Sequence, residues 1–192
     1  MNDAHLELLA SDDWRTMLRD MILPFALGER SPADLGDDVL EIGPGPGLTT
    51  DLLSDQLERM TALELDPVLA TALARRTKDS SVVSVVEGDA TAMPFESGRF
   101  SGAVCLTMLH HVPDRALQDQ LFSEVYRVLR PSGIFMASDS VASDDLAALH
   151  VDDTYNPIDP SSIEPRLTTA GFVDVDVQSN AFGWRAQATR PF

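Results

Sequence analysis

The sequence contains one cysteine, Cys105, and one lysine, Lys78. A single cysteine excludes an intramolecular disulfide and a cysteine cluster that could hold zinc. The first residues, MNDAHLE, lack the basic and apolar segments of a secretory signal peptide, and no apolar run reaches the roughly 18 residues that a membrane helix needs. We therefore expect a cytoplasmic protein with no stable membrane association.

Positive charge is also scarce. The chain has 31 acidic and 14 basic residues, which gives a formal net charge of -17 at pH 7. Such a surface is repelled by the phosphates of nucleic acids, so we expect no nucleic-acid partner. A length of 192 residues and a hydrophobic content of 44% are typical of one globular domain. Nothing in the composition separates a monomer from a homodimer.

The most informative stretch is residues 39–50, with the sequence VLEIGPGPGLTT. A short apolar run, three alternating glycines and the start of a helical pattern indicate a strand, a tight loop and a helix. Glycine permits positive φ and a close approach of ligand to backbone, and the N–H groups at a helix start attract polar atoms. The loop therefore predicts a site for a dinucleotide, a nucleotide phosphate or S-adenosylmethionine.

The spacing of the glycines separates these ligands. A dinucleotide loop reads G-x-G-x-x-G/A, but the last position holds Leu48 or Thr50, depending on the glycine from which the count starts. A nucleotide-phosphate loop ends in a lysine, and Lys78 lies well outside this stretch. The remaining pattern, E-x-G-x-G-x-G at residues 41–47, resembles the first motif of class I S-adenosylmethionine-dependent methyltransferases.

Two acidic residues continue this resemblance. Glu64 follows Gly43 by about 20 residues at the end of a predicted second strand, where a carboxylate can accept hydrogen bonds from both ribose hydroxyls. Asp89, in Glu-Gly-Asp-Ala after the third strand, matches the family position that accepts a hydrogen bond from the adenine amino group. The alternatives are a solvated charge at the strand end for Glu64 and a turn-forming aspartate for Asp89.

Two later segments match the family in order. The run from Pro94-Phe95 to Leu109-His110-His111-Val112 is similar to its fourth motif, although Ser101 stands where aspartate is usual. We expect that change to affect a structural hydrogen bond. The turn Arg130-Pro131-Ser132-Gly133 resembles the family's turn into the fifth strand, with Ser132 replacing a glycine.

The resemblance covers residues 37–192. It implies an α/β fold with a doubly wound, Rossmann-like sheet of seven strands in the order 3-2-1-4-5-7-6, the last strand antiparallel. Residues 1–36 are predicted to form a helical lid over the cofactor, with a helix over 12–29 interrupted near Pro24. A helix that merely covers a sheet edge is the alternative. The polar segment 139–159 is where the family binds its substrate.

The function implied is methyl transfer from S-adenosylmethionine to a small-molecule acceptor by in-line displacement, with S-adenosylhomocysteine as product. The alternative is a module that binds the cofactor without turnover, because the motif residues bind cofactor rather than perform chemistry. The residues expected to bind the cofactor are Glu41, Gly43, Gly45, Gly47, Glu64, Leu65, Asp89, Ala90 and Thr107.

His110 and His111 are the candidate catalytic residues. Histidine is suited to remove a proton from a hydroxyl or amine acceptor, and at most one of two successive residues is expected to face the site. One of them could instead anchor the helix that begins after Asp114.

No metal site is expected. A metal-dependent enzyme of the catechol type needs several oxygen ligands beyond the fourth and fifth strands, and only Asp139 is suitably placed. Residues 150–153, HVDD, are interpreted as an exposed polar loop. The sequence leaves open whether the methylated atom is oxygen, nitrogen, carbon or sulfur.

Overall fold

Seven strands form one sheet with the order β3-β2-β1-β4-β5-β7-β6 in the computed structural model, which describes residues 2–192. Strands β1 to β5 pair in parallel, and β7 runs antiparallel to both β5 and β6. The predicted order is confirmed. The strands are β1 Val39–Ile42, β2 Met60–Glu64, β3 Val83–Glu87, β4 Phe100–Leu106, β5 Leu129–Ser140, β6 Val173–Ser179 and β7 Gly183–Thr189.

Helices cover both faces of the sheet. The α-helices are α1 Asp3–Leu9, α2 Asp12–Met17, α3 Leu23–Leu27, α4 Leu48–Ser54, α5 Pro67–Arg76, α6 Arg115–Val128, α7 Asp144–Leu149 and α8 Ile163–Ala170. Short 3-10 helices occur at Pro32–Leu35, Leu109–His111 and Pro160–Ser162. No helix in the described part of the chain is both long and apolar enough to span a bilayer.

Two helices begin at acidic caps. The side chain of Asp66 accepts hydrogen bonds from the N–H groups of Val68 and Leu69, and Pro67 occupies the first turn of α5. Asp114 accepts from the N–H of Leu117 at the start of α6. Each cap satisfies backbone donors that have no partner within the helix.

The order of the strands reverses between β1 and β4, which are hydrogen-bonded neighbours. Chain connections from these two strands leave in opposite directions, so a crevice opens at their carboxyl ends. One apolar core packs beneath α6 and α8 and includes Phe122, Phe135 and Trp184. A second core on the opposite face includes Leu27, Leu53 and Met136.

The N-terminal helix differs from its prediction in detail. The chain is helical without a break from α2 through α3, and residues Leu18–Ile22 form a π-helical turn rather than a kink at Pro24. In this turn the N–H of Leu23 donates to the carbonyl of Leu18. Proline has no N–H for the ordinary helical bond, and the wider turn immediately before it accommodates the ring.

The two departures from the family pattern have structural explanations. Ser101 exchanges two hydrogen bonds with the backbone of Asp38, at 2.9 and 3.0 Å, so it holds the start of β1 against β4 as a structural residue. Ser132 has a φ of 64°, the left-handed conformation that glycine adopts most easily. It lies inside β5, which is longer than predicted. Helix α7, within residues 139–159, was not predicted.

Candidate active site

A cavity of ≈ 500 Å³ opens at the carboxyl ends of β1, β2 and β4. Its volume is within the usual range for a small-molecule site. Seven of the predicted cofactor-binding residues line it: Gly43, Gly45, Glu64, Leu65, Asp89, Ala90 and Thr107. They come from four separate stretches of the chain, and the parallel sheet brings those stretches to one edge because every strand ends there.

Glu64 ties the second strand to the glycine loop. One carboxylate oxygen accepts a hydrogen bond from the N–H of Gly45 at 2.9 Å, and the other accepts from the N–H of Asp66 at 2.9 Å. The residue is only 7% exposed. Each carboxylate oxygen can accept more than one hydrogen bond, so the group keeps capacity for a ligand while it orders the loop.

Gly47 supports the loop and lies outside the cavity lining, so its predicted contact with the cofactor stays a prediction. Its φ is 86°, and a Cβ atom there would lie 2.3 Å from Arg76 Nη2. That nitrogen donates to the carbonyls of Pro46 and Gly47, at 3.0 and 3.1 Å. Glycine is favoured at this position because its left-handed φ would strain any residue with a side chain, so its role here is to hold the loop's shape.

Glu41 also lies outside the cavity lining. The side chain is buried beneath the loop, where Thr50 Oγ1 donates to Glu41 Oε2 at 2.6 Å. Burial raises the pKa of this carboxyl to about 8, although the Thr50 hydrogen bond opposes the change. A carboxyl at this depth joins β1 to α4 beneath the loop, and its predicted contact with the cofactor stays a prediction.

Asp89 forms a local turn at the end of β3. Its Oδ1 accepts from both the N–H and the hydroxyl of Thr91, each at 2.8 Å. The turn-forming alternative is therefore present in the structure. It uses one oxygen of the carboxylate, and the residue still borders the cavity.

Thr107 is strained at the end of β4. Its φ of 53° is unusual for a β-branched residue. The hydroxyl donates to the carbonyl of Leu106 at 2.8 Å, and the N–H of Thr107 donates to the carbonyl of Ser138 at 2.8 Å. Strained residues of this kind concentrate at functional sites. The strand therefore ends in a fixed, bent conformation that turns the chain along the cavity.

The two adjacent histidines have different surroundings. His111 lines the cavity, whereas His110 is buried behind it and outside the lining. His110 Nδ1 lies 2.7 Å from Asp139 Oδ1, and the other oxygen of Asp139 accepts from the N–H of His110. Asp139, at the end of β5, therefore fixes the orientation of His110. Of the two adjacent histidines, His111 alone borders the cavity, and a catalytic role for either stays a prediction.

Sequence reasoning missed a histidine cluster beside the cavity. His5 and His150 lie against the pair, with ring centroids 5.1 Å from His111 in both cases. His150 is 4% exposed, so the interpretation of residues 150–153 as an exposed loop is wrong at that position. Burial lowers the pKa of His111 to about 3, with further lowering by the neighbouring histidines. Burial also lowers the pKa of His5.

The N-terminal helices contribute an apolar side of the cavity. Leu9 is the last residue of α1, Trp14 lies on α2 and Leu18 begins the π-helical turn, and all three line the cavity. The amphipathic pattern over residues 12–29 predicted one apolar face for this helix. The side chains at 14 and 18 put part of that face against the cavity, because residues four apart share a helix face.

The family of the chain follows from a sequence comparison. Residues 40–137, half of the chain, match the family described as "Methyltransferase domain". The chain therefore belongs to this family of class I S-adenosylmethionine-dependent methyltransferases, and the family resemblance noted from the motifs is confirmed. S-adenosylmethionine is the methyl donor of methyltransferases in this family.

Two curated relatives show how much of the chain is matched. A Mycolicibacterium smegmatis protein described as a probable S-adenosylmethionine-dependent methyltransferase is 32% identical over 103 residues, which is 54% of this chain and 38% of that protein. A ribosomal RNA small subunit methyltransferase A from Synechococcus is 48% identical over 65 residues, 32% of this chain and 23% of that protein. The chain thus matches well under half the length of these curated relatives.

The solved structures agree on the fold. A chain from a complex between the Haloferax volcanii Trm112 methyltransferase activator and a methyltransferase superimposes with a TM-score of 0.73, over 100% of both chains and at 17% identity. At that identity the likeness concerns the architecture alone.

Proposed function

We propose that this protein transfers a methyl group from S-adenosylmethionine to a small-molecule acceptor that carries no phosphate. The observation that carries the proposal is the single cavity bordered by both the glycine loop and His111, with Glu64 and Asp89 on its wall. The same cavity is therefore bordered by the glycine loop, Glu64 and Asp89, which suit the cofactor, and by His111, which suits an acceptor.

The cofactor assignment rests on the chemistry of the lining. Glu64 would accept hydrogen bonds from the ribose hydroxyls, and the second oxygen of Asp89 would accept from the adenine amino group. The backbone at Gly43 and Gly45, where φ is 67° and 54°, would lie against the methionine part of the cofactor without a side chain in the way.

The charge of the lining supports a neutral or cationic acceptor. Among the described residues, the cavity is bordered by Glu64, Asp66, Asp89 and Asp153 and by no lysine or arginine. The methyl donor carries a positive sulfonium and a positive ammonium, which such a lining attracts. A phosphate group would meet four carboxylates and, among the described lining residues, no lysine or arginine side chain to pair with it. The net charge of -17 would likewise repel the phosphates of RNA.

Methyl transfer requires few catalytic groups from the protein. The acceptor's lone pair attacks the methyl carbon, the carbon–sulfur bond breaks, and its electron pair returns to sulfur to give S-adenosylhomocysteine. The sulfonium already activates the methyl group, so the protein contributes alignment and the exclusion of water. Leu9, Trp14 and Leu18 would close the apolar side of the cavity, which is the lid role expected for residues 1–36.

The acceptor's proton must leave during the reaction if the acceptor is a hydroxyl or a protonated amine. His111 is the member of the histidine pair that borders the cavity and could receive this proton, with His110 held behind it by Asp139. A pKa of about 3 makes His111 a weak base in the free protein. His111 without a further partner is therefore poorly suited to take the proton by itself.

The similarity to ribosomal RNA methyltransferases covers a minority of the chain. The Synechococcus relative matches over 65 residues, which is 32% of this chain. We accordingly treat RNA as a competing substrate in the test.

The test combines binding with turnover. Calorimetry should detect S-adenosylmethionine and S-adenosylhomocysteine and should detect no binding of NAD. A donor with a labelled methyl group is then offered to matched acceptors, each with and without a phosphate group, and to ribosomal RNA fragments. Label transfer to the unphosphorylated acceptors supports the proposal. Preferential transfer to RNA or to the phosphorylated partners overturns it, and binding without any transfer favours the non-catalytic module.

A further inference from the structure

All four histidines of the chain lie in one cluster beside the cavity. The ring centroids of His5 and His150 are 4.5 Å apart, those of His110 and His111 are 4.2 Å apart, and those of His110 and His150 are 4.9 Å apart. These residues come from α1, the turn after β4 and the end of α7. A chain with so few histidines has no statistical reason to gather every one of them in one place.

Three of the four present ring nitrogens to a common point. The nearest ligand atoms of His5, His111 and His150 all lie within 4.8 Å of one another. His5 and His150 are each 4% exposed, and His111 is partly buried with an edge on the cavity. Three convergent imidazoles in a mostly dry setting are the ligand set of many catalytic zinc sites.

The hydrogen bonds of His150 leave one nitrogen available. Its Nδ1 lies 2.6 Å from the carbonyl oxygen of Leu146, and a carbonyl can only accept, so Nδ1 carries the proton. In the neutral ring Nε2 then holds a lone pair. That atom is buried and has no hydrogen-bond partner within residues 2–192. A metal-binding histidine usually shows this arrangement, with the second nitrogen donating to a carbonyl or a carboxylate.

The same kind of buried nitrogen occurs on the other two rings. His111 Nε2 and His5 Nδ1 are buried without a hydrogen-bond partner in the described part of the chain, as is Nε2 of His110, which lies outside the group of three. Buried polar atoms are normally satisfied, so one such nitrogen on each of the three converging rings points to a missing ligand. The carboxylate of Asp153 lies 3.6 Å from His5 Nδ1 and 4.0 Å from His111 Nδ1, which adds negative charge at the same place.

We propose that His5, His111 and His150 bind one divalent transition-metal ion, of which Zn²⁺ is the representative, at the wall of the cavity. Imidazole nitrogens favour zinc, copper, nickel and cobalt, whereas magnesium and calcium require oxygen ligands. Zinc–nitrogen distances of about 2.0–2.1 Å put tetrahedral ligand atoms about 3.4 Å apart, so the rings move closer by an ångström or so on binding. This site reverses the sequence-based expectation of no metal.

A metal ion held by these residues would adjoin the cavity, because His111 is both a proposed ligand and a lining residue. An acceptor hydroxyl or thiol bound there would lose its proton more readily, since a bound cation lowers the pKa of its ligand. The proton would leave to solvent, and the oxygen or sulfur would attack the methyl carbon as an anion. This role rests on the proposed function, whereas metal binding by itself does not.

The experiment titrates Zn²⁺ into the full chain, made without a polyhistidine tag and stripped of metal. Calorimetry should give one tight site per chain, and Mg²⁺ should not compete for it. X-ray absorption of the zinc-loaded protein should count about three imidazoles. That count is made on the parent protein, so it does not depend on whether a variant folds.

Two matched histidine variants test the ligand assignment. His150→Gln should weaken Zn²⁺ binding by more than the 10–100-fold that loss of an outer partner typically costs. His110→Gln is the control, because His110 lies in the cluster but outside the group of three, and it should change the affinity only a few-fold. An absorption count of one imidazole or none, or equal losses in both variants, overturns the assignment.

Binding of S-adenosylhomocysteine is measured on the same samples. Failure of the proposed function would appear as zinc binding without cofactor binding, and failure of the metal site would appear as the reverse. Where both bind, turnover of a hydroxyl or thiol acceptor should fall at least tenfold on removal of zinc and return on its addition. Turnover that is equal with and without zinc overturns the role for the metal.

Discussion

The carboxylate of Glu64 accepts a hydrogen bond from the backbone N–H of Gly45 at 2.9 Å, so the acid that ends β2 is joined directly to the loop that follows β1. Glu64→Ala should therefore weaken S-adenosylhomocysteine binding about a hundredfold or more, because two charge-assisted bonds of about 1.5–3 kcal/mol each are lost. Calorimetry measures the affinity. Glu87 is the matched control, since it pairs with Glu64 in register at the end of β3 but lies outside the cavity lining. Equal affinities for Glu64→Ala and Glu87→Ala would refute the ribose role.

Gly45→Val should abolish cofactor binding while the protein remains folded. The residue borders the cavity with a φ of 54°, so a branched side chain would occupy ligand space and strain the loop. Gly98→Val is the control for strain alone, because Gly98 has a φ of 69° and its nearest atom lies 4.0 Å from an added Cβ, away from the cavity. Circular dichroism checks folding, and calorimetry checks binding. Normal binding by folded Gly45→Val would contradict the close approach of ligand and loop.

Glu41 should make stability depend on pH. Its folded-state pKa of about 8 lies above the ordinary value of 4.5, so between these values the folded protein holds a proton that the unfolded chain has released. The free energy of unfolding should therefore be greatest at low pH within this window and fall as pH rises, by up to about 1.4 kcal/mol per pH unit.

The variant Glu41→Gln tests this dependence. Glutamine cannot ionise, so the variant should lose the slope and exceed the parent in stability at pH 8. The exposed Glu96→Gln serves as the control and should follow the parent. Denaturant unfolding at several pH values measures the effect. Parallel curves for the parent and Glu41→Gln would show that Glu41 does not hold a proton in the folded state.

His111→Gln should lower turnover by about 10²–10⁴ if the ring takes a proton or a metal ion during catalysis, with S-adenosylhomocysteine affinity nearly unchanged. His110→Gln should have a smaller effect, because His110 lies behind the cavity lining. Steady-state kinetics with the true acceptor measure both. Near-normal turnover in both variants would mean that methyl transfer proceeds by positioning alone.

Thr107→Gly should raise the free energy of unfolding by about 0.5–1 kcal/mol, because relief of the left-handed strain exceeds the entropy that glycine loses. Turnover should fall, since the residue borders the cavity. The control is Asp174→Gly, where φ is 51° on an exposed strand, and it should leave turnover unchanged. A net loss of stability in Thr107→Gly would indicate that its hydroxyl bond to Leu106 outweighs the strain.

Local patterns and the family resemblance together were sufficient for the sheet and for seven of the residues that line the cavity. The glycines in residues 41–47 shape a short loop, and Glu64 marks the end of β2. Aspartates cap the helices that follow them. Each of these features is decided by residues nearby in the sequence. Parallel strands end at a common edge, so the patterns that locate those ends also locate the residues that meet there. The order of the strands and the approach of Gly45 and Glu64 therefore follow from the primary structure together with the family resemblance.

The roles of other residues depend on how deeply they are buried and on contacts between residues far apart in the sequence. Glu41 and Gly47 belong to the predicted motif, but burial beneath the loop and the packing of Arg76 give them supporting roles. The meeting of His5, His111 and His150 has no local signal at all, because it depends on how α1 and α7 pack against the turn after β4. Pattern and spacing describe what neighbours along the chain can do, whereas burial and the convergence of remote side chains arise only when the whole chain is packed.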